Sequence, residues 1–142
     1  MRRILIWGFL ISTVGCGPRD QAADNTPPNP IRASSLVETY RDFPDRAKGL
    51  YTNQVVVVRV LRGHYDVAGA REIHWYTTGN RVKPPAIVFV CRDHQTGDGS
   101  QFDLLVTGRC TGRVWDGQDR GGGIKFTVQF HDCSVTRLAV MP

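Results

Sequence analysis

Glutamate is almost missing from this chain. Glu38 and Glu72 are the only two among 142 residues, so a paired-carboxylate site for general acid and base work would have to draw aspartates from loops. No Gly-x-Ser-x-Gly, no His-Glu-x-x-His and no phosphate-cradling glycine loop ending in Lys-Ser or Lys-Thr is present. The strand-to-helix nucleophile elbow, the zinc-protease helix and the P-loop are thereby set aside. Gly121-Gly122-Gly123 lacks that context and reads as a flexible hairpin tip. Cys-x-x-Cys is absent too, and with it the usual metal-finger spacing. Strong charge is likewise lacking. The formal net charge of +5 falls to about +3 once Arg2 and Arg3 are discounted, leaving 16 basic residues against 13 acids, far from the concentrated basic stripe of a nucleic-acid binder.

What is present is ordinary globular usage, with 41% hydrophobic and 22% charged residues, and a length that fits one modest core. The N-terminus reads as an address label. Met1-Arg2-Arg3 is a short positive region, Ile4 to Val14 an uncharged and mostly apolar run, and Thr13-Val14-Gly15 leads into Cys16. The run is too short for a transmembrane helix of about 20 residues. This arrangement resembles a bacterial lipoprotein signal, although Thr13 stands where such signals most often carry Leu. The resemblance implies cleavage after residue 15, lipidation of Cys16 and a protein tethered to a membrane of the cell envelope, facing away from the cytoplasm. An uncleaved anchor and an ordinary secretory signal are the alternatives. Residues 16–33 follow as a tether, since Pro18, Pro27, Pro28 and Pro30 among Asp, Asn and Gln leave no periodic apolar face.

The folded domain is expected over 34–138, with 139–142 as a tail. Ser35 and Glu38 have capping-box spacing, and Leu36, Tyr40, Phe43, Ala47 and Leu50 make one apolar helical stripe that Pro44 interrupts. A short helix to Asp42 and a further turn or two from Pro44 to Lys48 are expected. The run from Gln54 to Gly63 carries four consecutive valines and reads as a strand, because β-branched side chains suit a pleated surface. Its apolar residues lie on both faces, as in a strand serving two sides of a closed sheet. A loop is expected over His64 to Ala70. Three more strands follow, at Arg71–Thr78, Ala86–Cys91 and Leu104–Val114. In the last of these Gly108 and Gly112 share the inward face and signal a bend or a close backbone approach. A fifth strand spans Ile124–Val135. Its apolar phase changes between Phe130 and Cys133, so a β-bulge is expected near His131-Asp132.

That bulge bears on the thiols. With Cys16 taken by lipid, Cys91, Cys110 and Cys133 remain. In a hairpin of the last two strands, Cys133 restored to the inward face would meet Cys110. A Cys110–Cys133 disulfide is therefore expected, with Cys91 a buried thiol. The rival is a metal site drawing on Cys91, His94, His131 and Cys133.

Five short strands with one helical lead fit a mainly β fold, a five-stranded OB-fold Greek-key barrel behind a short N-terminal helical segment. The stretch from Ser35 to Val135 resembles the tRNA-anticodon-binding-like OB family. The resemblance rests on Leu36 through Ala47-Lys48-Gly49-Leu50-Tyr51, Val55 to Gly63, Val88-Phe89-Val90-Cys91, Val106 to Gly112, and Asp132-Cys133. It implies no catalytic residues to carry over, and a non-catalytic binding module with no cofactor and no metal is expected. On such a barrel the ligand face is the outer surface of strands two and three with the adjoining loops. That selects Tyr65, His74, Tyr76, Arg113, Trp115 and Arg120, aromatic rings beside basic groups. Outside the cytoplasm a glycan, a peptide or an envelope protein is the expected partner. Nucleic acid enters by fold analogy alone, and a purely structural or assembly lipoprotein is the other reading.

Overall fold

The structure, a computed structural model, describes residues 29–77, 84–95, 101–114 and 126–139. Secondary structure is present ahead of residue 34, where the domain was expected to start: a two-residue strand, β1 (Ile31–Arg32), runs directly into helix α1 (Ala33–Asp42). Pro44 then opens helix α2 (Pro44–Tyr51). Proline cannot donate the hydrogen bond that would continue α1, yet its fixed φ suits a first helical turn. Phe43 is the joint, at φ −138° and ψ 64°. The change of direction splits the expected apolar stripe. Leu36, Val37, Tyr40 and Ala47 are buried, while Phe43 and Leu50 face solvent, 59% and 51% exposed.

The expected capping box is not used. Helix α1 starts two residues ahead of Ser35, with Arg32 at the N-cap and no side chain capping it. Ser35 lies within the helix, where its carbonyl accepts a hydrogen bond from Thr39 Oγ1 at 2.7 Å.

Six further strands follow: β2 (Val55–Val60), β3 (Tyr65–Ala68), β4 (Glu72–Trp75), β5 (Ile87–Cys91), β6 (Asp103–Val114) and β7 (Thr127–Leu138). The expected closed five-stranded barrel is not what they form. The seven strands make one open mixed sheet in the order β1-β2-β6-β7-β5-β4-β3. The differences have local causes. Gly63, at φ +79°, sits in the turn that ends the valine strand at Val60, a backbone region glycine enters without steric cost. The segment expected as a loop after it becomes β3, antiparallel to β4, and Ile31-Arg32 adds β1 parallel to β2. Because β2 and β3 lie toward opposite ends of the order yet are joined by Leu61–His64, the sheet curls about a single core. Val58 and Val60 from one end share that core with Tyr65, Ile73 and Trp75 from the other.

At the centre Phe89 of β5 faces Phe130 of β7 across a parallel ladder, their ring centroids 5.1 Å apart and their planes tilted by 37°, within the contact range of aromatic pairs. Two irregularities shape β6 and β7. The phase slip expected at His131-Asp132 is present, for the register moves from Thr107 opposite Ser134 to Arg109 opposite His131, and Asp132 takes φ +53°. A second slip, between Cys110 and Gly112, was not expected. It leaves Thr111 unpaired in the ladder and turns Arg113, rather than Gly112, into line with the core residue Val128. Among the described residues no helix is long and apolar enough to cross a membrane.

Candidate functional site

The second slip builds a site. Arg113 lies at the end of β6 with its guanidinium carbon 4.5 Å from the centroid of the Phe126 ring, a cation–π contact that holds the side chain in place at the mouth of the core. Facing it is α2. Between them is a cavity of about 310 Å³, lined by Tyr40, Pro44, Asp45, Lys48, Thr52, Thr111, Gly112 and Arg113, a volume at the lower end of the range of small-ligand pockets. Gly112 allows the two sides to approach. Its φ is +99°, and a Cβ there would stand 3.2 Å from Thr52 Oγ1.

The floor is tied together by Tyr40, whose hydroxyl lies 3.2 Å from Thr52 Oγ1 and 3.3 Å from Cys110 Sγ. Burial pushes the Tyr40 phenol well above its usual range, and the contact with Cys110 adds to the rise. Burial also raises the Cys110 thiol. Both groups are therefore neutral at physiological pH and serve packing. Thr111 Oγ1 is committed to the carbonyl of Gln129 at 3.0 Å. The free donors are the ammonium of Lys48 and the guanidinium of Arg113, for which no carboxylate lies within ion-pair distance among the described residues. Two cations against the single carboxylate of Asp45 suit a bound anionic group. The lining includes no histidine.

The four described residues of the expected ligand face, Tyr65, His74, Tyr76 and Arg113, do not come together. Tyr65 is a core residue, 3% exposed, with its hydroxyl donating to the carbonyl of Phe102 at 2.9 Å. Tyr76 is buried as well. His74 does lie on the outer side of β4, but it is 2.8 Å from Glu72 Oε2 and stands opposite Asp66 and Val88. That face sets acidic residues, Glu72 and Asp66, beside the valines of β5 rather than aromatic rings beside basic groups. Register connects Tyr65 to Trp75, Ile87, Val128 and Arg113 in turn. Arg113 is thus four strands from Tyr65, about 19 Å measured along the sheet at the usual strand spacing. Trp115, Arg120 and Cys16 lie outside the described residues.

Sequence reasoning missed Tyr40, Lys48, Thr52 and Thr111. The one signal available was Gly112, where a strand glycine marks a close approach; nothing local says that α2 is what approaches. Two other cavities carry arginines. One of about 250 Å³ includes Arg92, Arg109, Asp132 and Ser134, but Arg109 already donates to the carbonyl of Asn53 at 2.8 Å. The other, about 160 Å³, lies between Arg32, Arg59, His64 and Trp75.

The thiols are also arranged differently from expectation. All three are buried and unpaired. Cys110 stands opposite Phe130, whereas Cys133 stands opposite Cys91 across the parallel β5–β7 ladder. The expected Cys110–Cys133 disulfide is absent, because β5 lies on the other side of β7 and brings Cys91 opposite Cys133. Among the described residues no three of the histidine, cysteine and acidic side chains are grouped to hold a metal. No family model, no curated protein and no solved structure matches the chain.

Proposed function

We propose that this protein is a non-catalytic binding module of the bacterial cell envelope, held by a lipid on Cys16 and taking an anionic group of a glycan or peptide in the pocket between α2 and the end of β6. The observation that supports the reading is the pairing of Lys48 with Arg113 across that cavity, two cations with no carboxylate within ion-pair distance among the described residues. The Phe126 ring under Arg113 limits how much side-chain freedom a ligand would remove. Phe43, exposed beside Pro44, adds an apolar surface next to the charged one, the combination that acidic sugars and acidic peptides both present.

The test is binding of the full-length protein to an array of acidic glycans, neutral glycans, acidic peptides and oligonucleotides. Retention is expected for acidic glycans or peptides. Arg113→Ala and Lys48→Ala should each weaken it about tenfold, as loss of one charge-assisted hydrogen bond does. Silence across the array, or binding indifferent to both substitutions, would refute the pocket. A second reading, a structural or assembly lipoprotein, is favoured by the solvent exposure of Phe43 and Leu50, which a partner protein would cover. In that case Phe43→Ser would abolish co-purification of an envelope protein and the array would stay silent.

A further inference from the structure

The three thiols in the fold are not equivalent. Cys91 ends β5 and Cys133 lies in β7 just past the Asp132 bulge, and the two are direct partners across a parallel ladder. Paired strands run about 4.8 Å apart, inside the Cα separation that a disulfide spans. Both side chains point to the core, at 4% and 1% exposure. The space around Cys133 Sγ is kept by Gly108, where a Cβ would collide with that sulfur. Cys110 belongs to a different neighbourhood, with Phe130 opposite and the Tyr40 hydroxyl 3.3 Å from its sulfur.

We infer that Cys91 and Cys133 are the pair that closes a disulfide when this chain folds in the presence of a disulfide oxidant, and that Cys110 stays a thiol beneath Tyr40. The bond would fasten β5 to β7, two strands about 40 residues apart in the chain, where the sheet depends on a parallel ladder and has no hairpin turn to hold it. The chemistry is thiol–disulfide exchange. One cysteine thiolate attacks oxidised glutathione, forming a mixed disulfide and releasing one glutathione thiolate. The second cysteine attacks that mixed disulfide and releases the other. Two cysteine sulfurs are oxidised, two electrons reduce one glutathione disulfide, and the two S–H protons end on two glutathione thiols.

The timing follows from the surroundings. In the folded protein burial pushes the Cys91 thiol up to about 11, with the charges of Asp93 and Glu72 adding to the rise. Burial, with Cys91 and Asp132 nearby, pushes Cys133 up to about 12. Thiolate is scarce there at neutral pH, so exchange belongs to the folding chain and the finished bond is sheltered from later attack.

The experiment is refolding of the full-length protein from guanidinium chloride in a mixture of reduced and oxidised glutathione, followed by alkylation and peptide mapping without reductant. The expected result is a link between the peptides carrying Cys91 and Cys133, lighter by two hydrogens, with Cys110 alkylated. The thermal midpoint should fall by about 10 °C when reductant is present during refolding. A link between any other pair, Cys110–Cys133 included, or Cys91 and Cys133 both recovered as alkylated thiols, would overturn the inference.

Discussion

Among the described glycines, Gly108 is the one where an added methyl group would meet the closest contact. An added Cβ would meet Cys133 Sγ, the carbonyl oxygen of His131 at 3.2 Å and the Cys133 Cα at 3.4 Å, two of them backbone atoms that cannot swing away. Gly108→Ala should cost about 1–3 kcal/mol in chemical denaturation. Adding Cys133→Ala should recover part of that loss, because it removes the side-chain portion of the clash. Asp103 offers a pH-dependent test. Its carboxylate accepts a hydrogen bond from the Arg62 backbone N–H at 3.1 Å and another from Arg59 Nη2 at 3.1 Å, and these, the backbone bond first, hold it below the usual carboxylate range. A depressed acid stabilises the fold above its unfolded pKa of about 4, and that contribution is lost as pH falls through the lower folded value. The group is partly solvated, so the advantage over Asp103→Asn near pH 7 should be under about 1 kcal/mol. Thermal midpoints of the two proteins should converge as the pH drops below about 4; a constant gap would count against the pairing.

At the scale of elements, the N-terminus of α1 is the weakest joint. Arg32 occupies the N-cap without a side-chain hydrogen bond, no acidic residue lies in the first turn, and Arg32 stands opposite Arg59 in the β1–β2 ladder. Arg32→Asp would cap the helix, favour its dipole and replace a like-charge pair, so stability should rise by about 1 kcal/mol in urea denaturation. This joint shows why some elements were legible and others not. The break at Pro44 and the slip at His131-Asp132 are written locally, the first in proline chemistry and the second in a change of apolar phase. The slip at Thr111 is silent, because Gly112 and Val114 continue the same small-and-apolar alternation on paper while the ladder has already shifted. Strand β3 was hidden by its brevity and by Asp66 and Ala68, which disfavour strands, although Tyr65 and Val67 suit one and pairing with β4 completes it. Cysteine pairing was out of reach for a similar reason: the partner of Cys133 comes from a parallel neighbour, which no hairpin reading supplies.

For the whole molecule, two features define how it would work. Strand β1 brings the N-terminal end of the described chain to the edge of the sheet beside Val58 and Arg59, and a pocket with two cations opens where α2 meets the end of β6. If Cys16 carries the lipid, Cys16→Ser should lose radiolabelled fatty acid and move the protein from the membrane to the soluble fraction; unchanged labelling would refute the anchor. The pocket stands or falls on a separate observation. The most direct is an amide-resolved NMR titration of the protein with a mixture of uronic-acid oligosaccharides and acidic peptides. Saturable shifts concentrated at Lys48, Thr52, Thr111 and Arg113, and absent in Arg113→Ala, are the predicted result. Shifts confined to the outer face of β4 around His74, or none at any ligand concentration, would contradict it.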